Sequence, residues 1–144
     1  MSYNAITGRL YLGSYDGIFE LLKTVKITHI ITVANTDEFE KKLPFISLYK
    51  PLSFKTGHSD ISDSMDTVAD FINEHDTGDN KIYIHCYEGV SRSAVCVLWY
   101  LLKYKNNGLT FDDIYDSLKE KRKCINISPY LFDIVLQKFI YEIE

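Results

Sequence analysis

The sequence predicts an α/β domain whose central, mostly parallel sheet is flanked by helices, and three observations lead to this prediction. Short segments rich in β-branched and aromatic residues alternate with longer segments whose apolar residues recur at helical spacing. One short segment, KIYIHC at 81–86, is apolar enough for a central strand of a parallel sheet. No internal repeat or Pro/Ser-rich linker interrupts the 144 residues, so we expect a single domain over residues 1–144.

Strand and helix candidates alternate in the first half of the chain. RLYLGS at 9–14 and THIITVA at 28–34 have the composition of strands. Between them, YDGIFELLKTVK at 15–26 places its apolar residues along one helical face. FISLYKPL at 45–52 is a third strand candidate, and its proline indicates an edge strand or the end of a strand. Helical spacing then returns in DISDSMDTVADFINEH at 60–75.

After the central strand, the second half of the chain is helical. SAVCVLWYLLKY at 93–104 is apolar nearly all round, which predicts a buried helix. NNG at 106–108 ends this helix, because glycine commonly follows a helix terminus. Two more helices are predicted at 110–121 and 129–144. The loop after the central strand therefore opens a helix at the carboxyl end of the sheet, where α/β folds tend to bind ligands.

The overall composition is that of a soluble globular protein and argues against two classes of partner. Hydrophobic residues make up 46% and charged residues 25%, and the net charge of -4 gives no overall basic surface for nucleic acid or an anionic membrane. No apolar run approaches the roughly 20 residues that span a bilayer, and the N-terminus lacks the apolar core of a signal peptide. We expect no nucleic-acid partner, no membrane association and a cytoplasmic location, with the nucleus as the alternative. The sequence favours no particular oligomeric state.

The three cysteines are spaced unlike a disulfide framework or a zinc site. Their odd number fits a reducing compartment, in which a free thiol is available for chemistry. Cys96 lies in the apolar helix and is predicted to be a core residue. Cys124 has no sequence feature of a resolving thiol, although that role stays open. Cys86 differs from both because it lies at the end of the central strand.

Cys86 belongs to YIHCYEGVSRSA, which combines a thiol, a loop with one glycine and an arginine. A loop between a strand and a helix turns successive backbone N–H groups toward one point, and the helix N-terminus adds partial positive charge. Arg92 adds a planar fork suited to phosphate oxygens, and Gly89 allows close approach of the backbone to an anion. The same field favours the thiolate, so we predict a depressed pKa for Cys86. The expected phosphate cradle consists of Tyr87, Glu88, Gly89, Val90, Ser91 and Arg92.

This motif resembles the signature of the cysteine-dependent protein phosphatases, which is His-Cys, five residues, Arg and Ser or Thr. The residues GVSRS within the motif are most similar to the sequence of the dual-specificity branch. Four other segments also resemble that branch: LYLGS (10–14), ITHIITVAN (27–35), DFI (70–72) and LKEKRKCINISPYLF (118–132). The resemblance therefore covers nearly the whole chain. It implies phosphorylated proteins as substrates and a reaction without a metal or other cofactor.

The resemblance also implies a role for each residue around the motif. Cys86 would attack phosphorus to form a phosphocysteine, while Arg92 and the amides of 87–92 bind the phosphoryl oxygens. Ser93 matches a family hydroxyl that hydrogen-bonds the thiolate and helps the intermediate break down. His85 matches the histidine that orients the loop through backbone contacts.

The general acid is the point at which the sequence departs from the family pattern. Counting back from the DFI segment without gaps, the family's aspartate falls on Lys55, which offers no carboxylic proton. Asp60 is the nearest carboxylate and is the candidate general acid. The alternative for Asp60 is an N-cap of the following helix, together with Asp63 three residues on. His58 is a further candidate acid, because its ordinary pKa lies near neutrality.

One basic run, KEKRK at 119–123, is typical of a solvated helix end. Its Arg122 matches an arginine of the family, and the resemblance implies that this side chain supports the active-site face.

Three functional hypotheses stay open. The first is a protein phosphatase acting on phosphotyrosine and phosphoserine or phosphothreonine, and the chain lacks the long segments that form a deep phosphotyrosine-only pocket. The second is a phosphate-binding pseudophosphatase with weak activity, motivated by Lys55. The third is a phosphatase of RNA 5′-triphosphates or phosphoinositides. The acidic balance and the absence of lysine from the loop argue against these polyanionic substrates.

Overall fold

The computed structural model describes residues 2–33, 58–86 and 90–143, and for 58–60 it describes the backbone alone. The strands in these ranges are β1 Tyr3–Ala5, β2 Leu10–Gly13, β3 His29–Thr32 and β4 Ile82–His85. The helices are α1 Gly17–Leu21, α2 His58–His75, α3 Arg92–Tyr104, α4 Phe111–Lys121 and α5 Pro129–Glu142. Strands thus alternate with helices at first and helices follow alone, as the sequence predicts.

The four strands form one sheet in the order β1-β2-β4-β3. Strands β2 and β3 both pair with β4 in parallel, so that Leu12 and Ile31 flank Ile84 in register. Strand β1 pairs with β2 antiparallel at the edge. Every residue of β4 is buried, as a central strand requires. The predicted mostly parallel sheet is confirmed, and the carboxyl end of β4 leads directly into Cys86.

Helix α3 is the centre of the main core. Its residues from Ser93 to Tyr100 are all buried, which confirms the prediction of a buried helix. It packs against α2, α4 and α5 and against the sheet, and its Trp99 is among the largest fully buried side chains. This packing fixes the first turn of α3, which carries Arg92 and Ser93, relative to the end of β4.

The helix ends follow ordinary capping chemistry. Thr110 and Asp113 form a reciprocal capping box at the start of α4. The chain leaves α3 through Asn107 and Gly108, whose φ angles of 52° and 80° lie in the left-handed region. Glycine adopts this region without a steric cost, so NNG ends the helix as predicted.

Two local features differ from the sequence predictions, and a third prediction is not tested. Helix α1 is shorter than the predicted segment, because Lys23 and Thr24 make tighter backbone bonds to residues three positions back and Thr24 Oγ1 also donates to the carbonyl of Leu21. Strand β1 was not predicted. The strand candidate at 45–52 lies outside the described residues.

The N-cap interpretation of Asp60 is wrong. Helix α2 begins at His58, so Asp60 lies within the first helical turn and not at the position before it. A carboxylate in a first turn is still favoured by the helix dipole, which explains why an acidic residue is suited to this place.

Candidate active site

Cys86 lies directly after β4, with its side chain 7% exposed. Its Sγ is 3.0 Å from the Oγ of Ser93, a buried residue in the first turn of α3. When the thiol is ionised only the hydroxyl can donate, so Ser93 is in position to stabilise a thiolate. The structure therefore brings together the predicted nucleophile and its predicted hydroxyl partner, seven residues apart in the chain.

His85, the last residue of β4, holds the backbone next to the nucleophile. Its Nδ1 lies 3.0 Å from the carbonyl oxygen of Cys86, and its Nε2 lies 2.9 Å from Thr32 Oγ1. Because a carbonyl only accepts, Nδ1 carries the proton and Nε2 accepts from the threonine hydroxyl. Burial lowers the pKa of His85 to about 4, so the ring is neutral at pH 7.

Thr32 was not identified from the sequence. It lies 53 positions before His85 and meets it because β3 and β4 pair in register at their last residues. A polar residue at the carboxyl end of a strand adjacent to β4 is a candidate site residue. Thr32 could be recognised as one only if the strand order were already known.

The segment before α5 forms hydrogen bonds with the last part of the predicted phosphate loop. Asn126 N donates to the carbonyl of Val90 at 2.8 Å, and Ser128 N donates to Ser91 Oγ at 3.1 Å. Ser91 precedes α3 without capping it through its side chain, so its hydroxyl serves this tertiary contact. Tyr87, Glu88 and Gly89 lie outside the described residues.

Arg92 is the first residue of α3, and its side chain is exposed. It therefore lies at the same helix start as Ser93, where the partial positive charge of the helix N-terminus is added to that of the guanidinium. The predicted grouping of Cys86, Arg92 and Ser93 at the carboxyl end of the sheet is present in the structure.

The direction of α2 brings its first turn toward the same end of the sheet. The ring of His75, at the end of α2, lies 4.6 Å from the ring of His29, at the start of β3. Further along the same helix, Asp66 contacts Trp99 and Asp70 contacts Lys103, so α2 runs in the same direction as α3. Because α3 begins at the carboxyl end of β4, the backbone of His58 and Asp60 lies toward that end of the sheet. Lys55 is outside the described residues.

Arg122 corrects the reading of the basic run as a solvated helix end. The lysines of this run are exposed, but Arg122 is only 1% exposed. Its Nη1 donates to Ser2 Oγ at 3.1 Å and to Asn4 Oδ1 at 2.9 Å. These contacts fasten the end of α4 to the N-terminal strand, so the described partners of Arg122 are structural.

The other two cysteines differ in their environment. Cys96 is buried in the main core, as predicted, and burial raises the pKa of its thiol. Cys124 is exposed, and both thiols are free. Negative charge on Cys86 also raises the pKa of Cys96, whereas no described contact places Cys124 beside the nucleophile.

The part of the chain that the structure describes contains neither a metal-binding cluster nor a membrane-spanning helix. Within residues 2–33, 58–86 and 90–143, no three His, Cys, Asp or Glu side chains are grouped so that they could hold a metal ion. In the same part of the chain, no helix has the length and apolar character needed to cross a membrane.

Comparison with known proteins bears on the family and on the fold. A family model described as the dual specificity phosphatase catalytic domain matches residues 10–138. A probable rhodanese domain-containing dual specificity protein phosphatase of Dictyostelium discoideum is 32% identical over 120 residues, which are 81% of this chain and 24% of that protein. Human dual specificity protein phosphatase 1 is 30% identical over 122 residues, 81% of this chain and 32% of the relative. The chain therefore spans only a quarter to a third of the length of these relatives.

Among solved structures, the human tyrosine phosphatase-like serine/threonine/tyrosine-interacting protein is similar with a TM-score of 0.76. Its sequence is 25% identical, and the match covers 94% of each chain.

Proposed function

The chain belongs to the dual specificity phosphatase family, and we propose that it is an active protein phosphatase that hydrolyses both phosphotyrosine and phosphoserine or phosphothreonine. The observation that carries this proposal is the 3.0 Å contact between Cys86 Sγ and Ser93 Oγ at the carboxyl end of β4. A buried structural thiol has no need of a hydroxyl donor, of the start of a helix, or of an exposed arginine at that helix start. A nucleophilic thiolate gains from all three.

In the first step the Cys86 thiolate attacks phosphorus and the bond from phosphorus to the substrate oxygen breaks. Arg92 and the amides of 87–92 bind the three remaining oxygens, whose charge is redistributed in the transition state. The product of this step is a phosphocysteine and an alcohol or phenol. The leaving oxygen takes a proton, which we assign to Asp60 because its backbone lies at the same end of the sheet.

In the second step water attacks the phosphocysteine and gives a proton to the Asp60 carboxylate, the bond from phosphorus to sulfur breaks, and inorganic phosphate and the thiolate are released. The Ser93 hydroxyl donates to the sulfur as its negative charge returns, which makes the thiolate a better leaving group. The hydrogen bond from His85 to the Cys86 carbonyl keeps the sulfur in line with phosphorus through both steps.

A second candidate is a phosphate-binding protein with weak catalysis. Two observations favour it: the family's acid position holds Lys55, and the similar human structure is described as phosphatase-like and interacting. Such a protein would bind phosphorylated partners in the same cradle without rapid turnover. Both candidates need the cradle, and they differ in whether the phosphocysteine forms and breaks down.

The test follows phosphate release from a phosphotyrosine peptide and from a phosphothreonine peptide of otherwise identical sequence. Protein quenched in acid during turnover is then digested, and mass spectrometry locates the phosphoryl group. We expect release from both peptides and a phosphoryl group on Cys86. Binding of both peptides without release or labelling would instead support the second candidate.

A further inference from the structure

Helix α5 begins against the phosphate cradle. Its N-cap residue Ser128 accepts a hydrogen bond from Leu131 N through its side chain, while its own backbone N donates to Ser91 Oγ at 3.1 Å. Ser91 immediately precedes Arg92, whose guanidinium is assigned to the phosphate. The first turn of α5 therefore lies along the rim of the cradle.

Tyr130, the second residue of α5, is 42% exposed on this rim. It is two residues beyond Ser128, an axial rise of only about 3 Å in a helix. Side chains on a helix lean toward its N-terminus, so the ring of Tyr130 is directed back toward the end of α5 that contacts the cradle. The exposed phenol of Tyr130 thus belongs to the helical turn whose N-cap contacts Ser91.

The other exposed large apolar side chains that the structure describes lie elsewhere. Leu109 follows α3, and Ile140 and Tyr141 are near the end of α5. Tyr141 occupies nearly the same helical face as Tyr130 but lies eleven residues on, a rise of about 16 Å. Tyr130 is therefore the exposed aromatic residue of the described chain that lies in the helical turn adjoining Ser91.

We propose that Tyr130 determines substrate specificity by stacking against the phenyl ring of phosphotyrosine, so that aryl phosphates are favoured over alkyl phosphates. This inference rests on the proposed phosphatase function. The phosphoryl group and the ring of phosphotyrosine are joined through one oxygen, so a residue on the rim contacts the ring while the cradle holds the phosphate. Phosphoserine and phosphothreonine present only a short aliphatic stem at this place and gain little from an aromatic wall.

The experiment compares matched phosphotyrosine and phosphothreonine peptides on wild type, Tyr130→Ala, Tyr130→Phe and Tyr141→Ala. Tyr130→Ala should raise KM for the phosphotyrosine peptide about three- to tenfold with little change in kcat, because an aromatic pair contributes this much to binding. Its KM for the phosphothreonine peptide should stay near that of wild type. Tyr130→Phe retains the ring and should retain the selectivity, and Tyr141→Ala should behave as wild type with both peptides.

Equal losses for the two peptides in Tyr130→Ala, or no loss for either, would overturn the inference. If wild type hydrolyses neither peptide, the proposed phosphatase function fails, and the Kd values of the two peptides for wild type and Tyr130→Ala then decide about Tyr130. A selective weakening of phosphotyrosine binding would uphold the inference in that case. Equal weakening or no binding of either peptide would refute it.

Discussion

The two sides of the site, the nucleophile at the end of β4 and the start of α2, are positioned by different means. Around Cys86, hydrogen bonds fix the geometry through Ser93 in the same motif and through His85 and Thr32 at paired strand ends. The position of Asp60 follows instead from the direction of a long helix, which is set by its packing on α3 and by ring contacts with His29 of β3. In the reaction we propose, binding and attack are thus encoded in a short motif, whereas delivery of a proton by Asp60 would depend on a separate element that can change independently.

The largest expected effect comes from Cys86→Ser, which removes the nucleophile and leaves the cradle. Turnover of every substrate should fall by about 10⁴-fold or more, as in other enzymes that lose a covalent nucleophile. Binding of inorganic phosphate or tungstate should persist, because Arg92 and the loop amides are unchanged. Isothermal titration and steady-state kinetics measure the two properties separately. Loss of anion binding together with activity would indicate that Cys86 is a structural cysteine.

Arg92→Lys tests the same side of the site at constant charge. We expect a loss of about 10²–10³ in kcat/KM, because an ammonium group cannot hold two phosphoryl oxygens in the planar, bidentate manner of a guanidinium. Arg9→Lys is the matched control. Arg9 is also partly exposed. It lies just before β2, at the opposite end of the sheet, and forms an ion pair with Asp76. Similar kinetics for the two variants would refute the cradle.

Asp60→Asn tests the other side of the site. If Asp60 protonates the leaving oxygen, hydrolysis of phenyl phosphate should slow by about 10²-fold, while a substrate whose leaving group departs without a proton should be nearly unaffected. The basic limb of the pH–rate profile should flatten as well. Asp63 is exposed and lies about one turn further along α2, so Asp63→Asn should leave the rate of hydrolysis of both substrates unchanged.

The alternative roles of the α2 start give different results in this assay. A carboxylate that only favours the helix dipole would lower stability by about 0.3–1 kcal/mol when replaced and leave the kinetics unchanged. The rate of hydrolysis by wild type would then depend steeply on the pKa of the leaving group. A shallow dependence that survives Asp60→Asn would direct attention to His58.

The parts of the fold that local pattern controls were predicted from the sequence. The apolar run of β4 and the apolar residues on all sides of α3 predict that both elements are buried, as they are. NNG after α3 predicts the left-handed turn that follows this helix. Strand β1 was missed because three residues at an edge carry little periodic signal. Its position depends on pairing with β2 and on the buried Arg122.

The same distinction applies to the site. Cys86 and Ser93 could be predicted together because one strand–loop–helix motif carries both. Thr32 could not, because only the register of two parallel strands brings it to His85. The start of α2 was placed two residues late, since Asp60 is an equally reasonable cap or first-turn residue and tertiary packing, which the local sequence does not report, decides between them.

His85 makes the stability of the nucleophile side dependent on pH. Its folded pKa of about 4 lies below the ordinary value of 6.5 because burial disfavours the charged ring. Between these values the unfolded chain binds the proton and the folded protein does not. Above pH 6.5 the protonation of His85 therefore does not reduce the free energy of unfolding. As the pH falls toward 4, the free energy of unfolding decreases by on the order of 3 kcal/mol.

Thr32→Val is expected to have the smallest effect, and it tests how this strand contact acts. Removing the hydroxyl that donates to Nε2 should lower the free energy of unfolding by about 1–2 kcal/mol at pH 7. The hydroxyl favours the neutral ring, so its loss should raise the pKa of His85, and the stability curves of wild type and variant should converge as the pH approaches 4. Denaturant unfolding between pH 7.5 and 4 measures both curves, with Thr67→Val, whose hydroxyl bonds only within α2 among described contacts, as the control. A difference between wild type and Thr32→Val that stays constant with pH would mean that Thr32 contributes packing alone and does not set the protonation state of the ring beside the nucleophile.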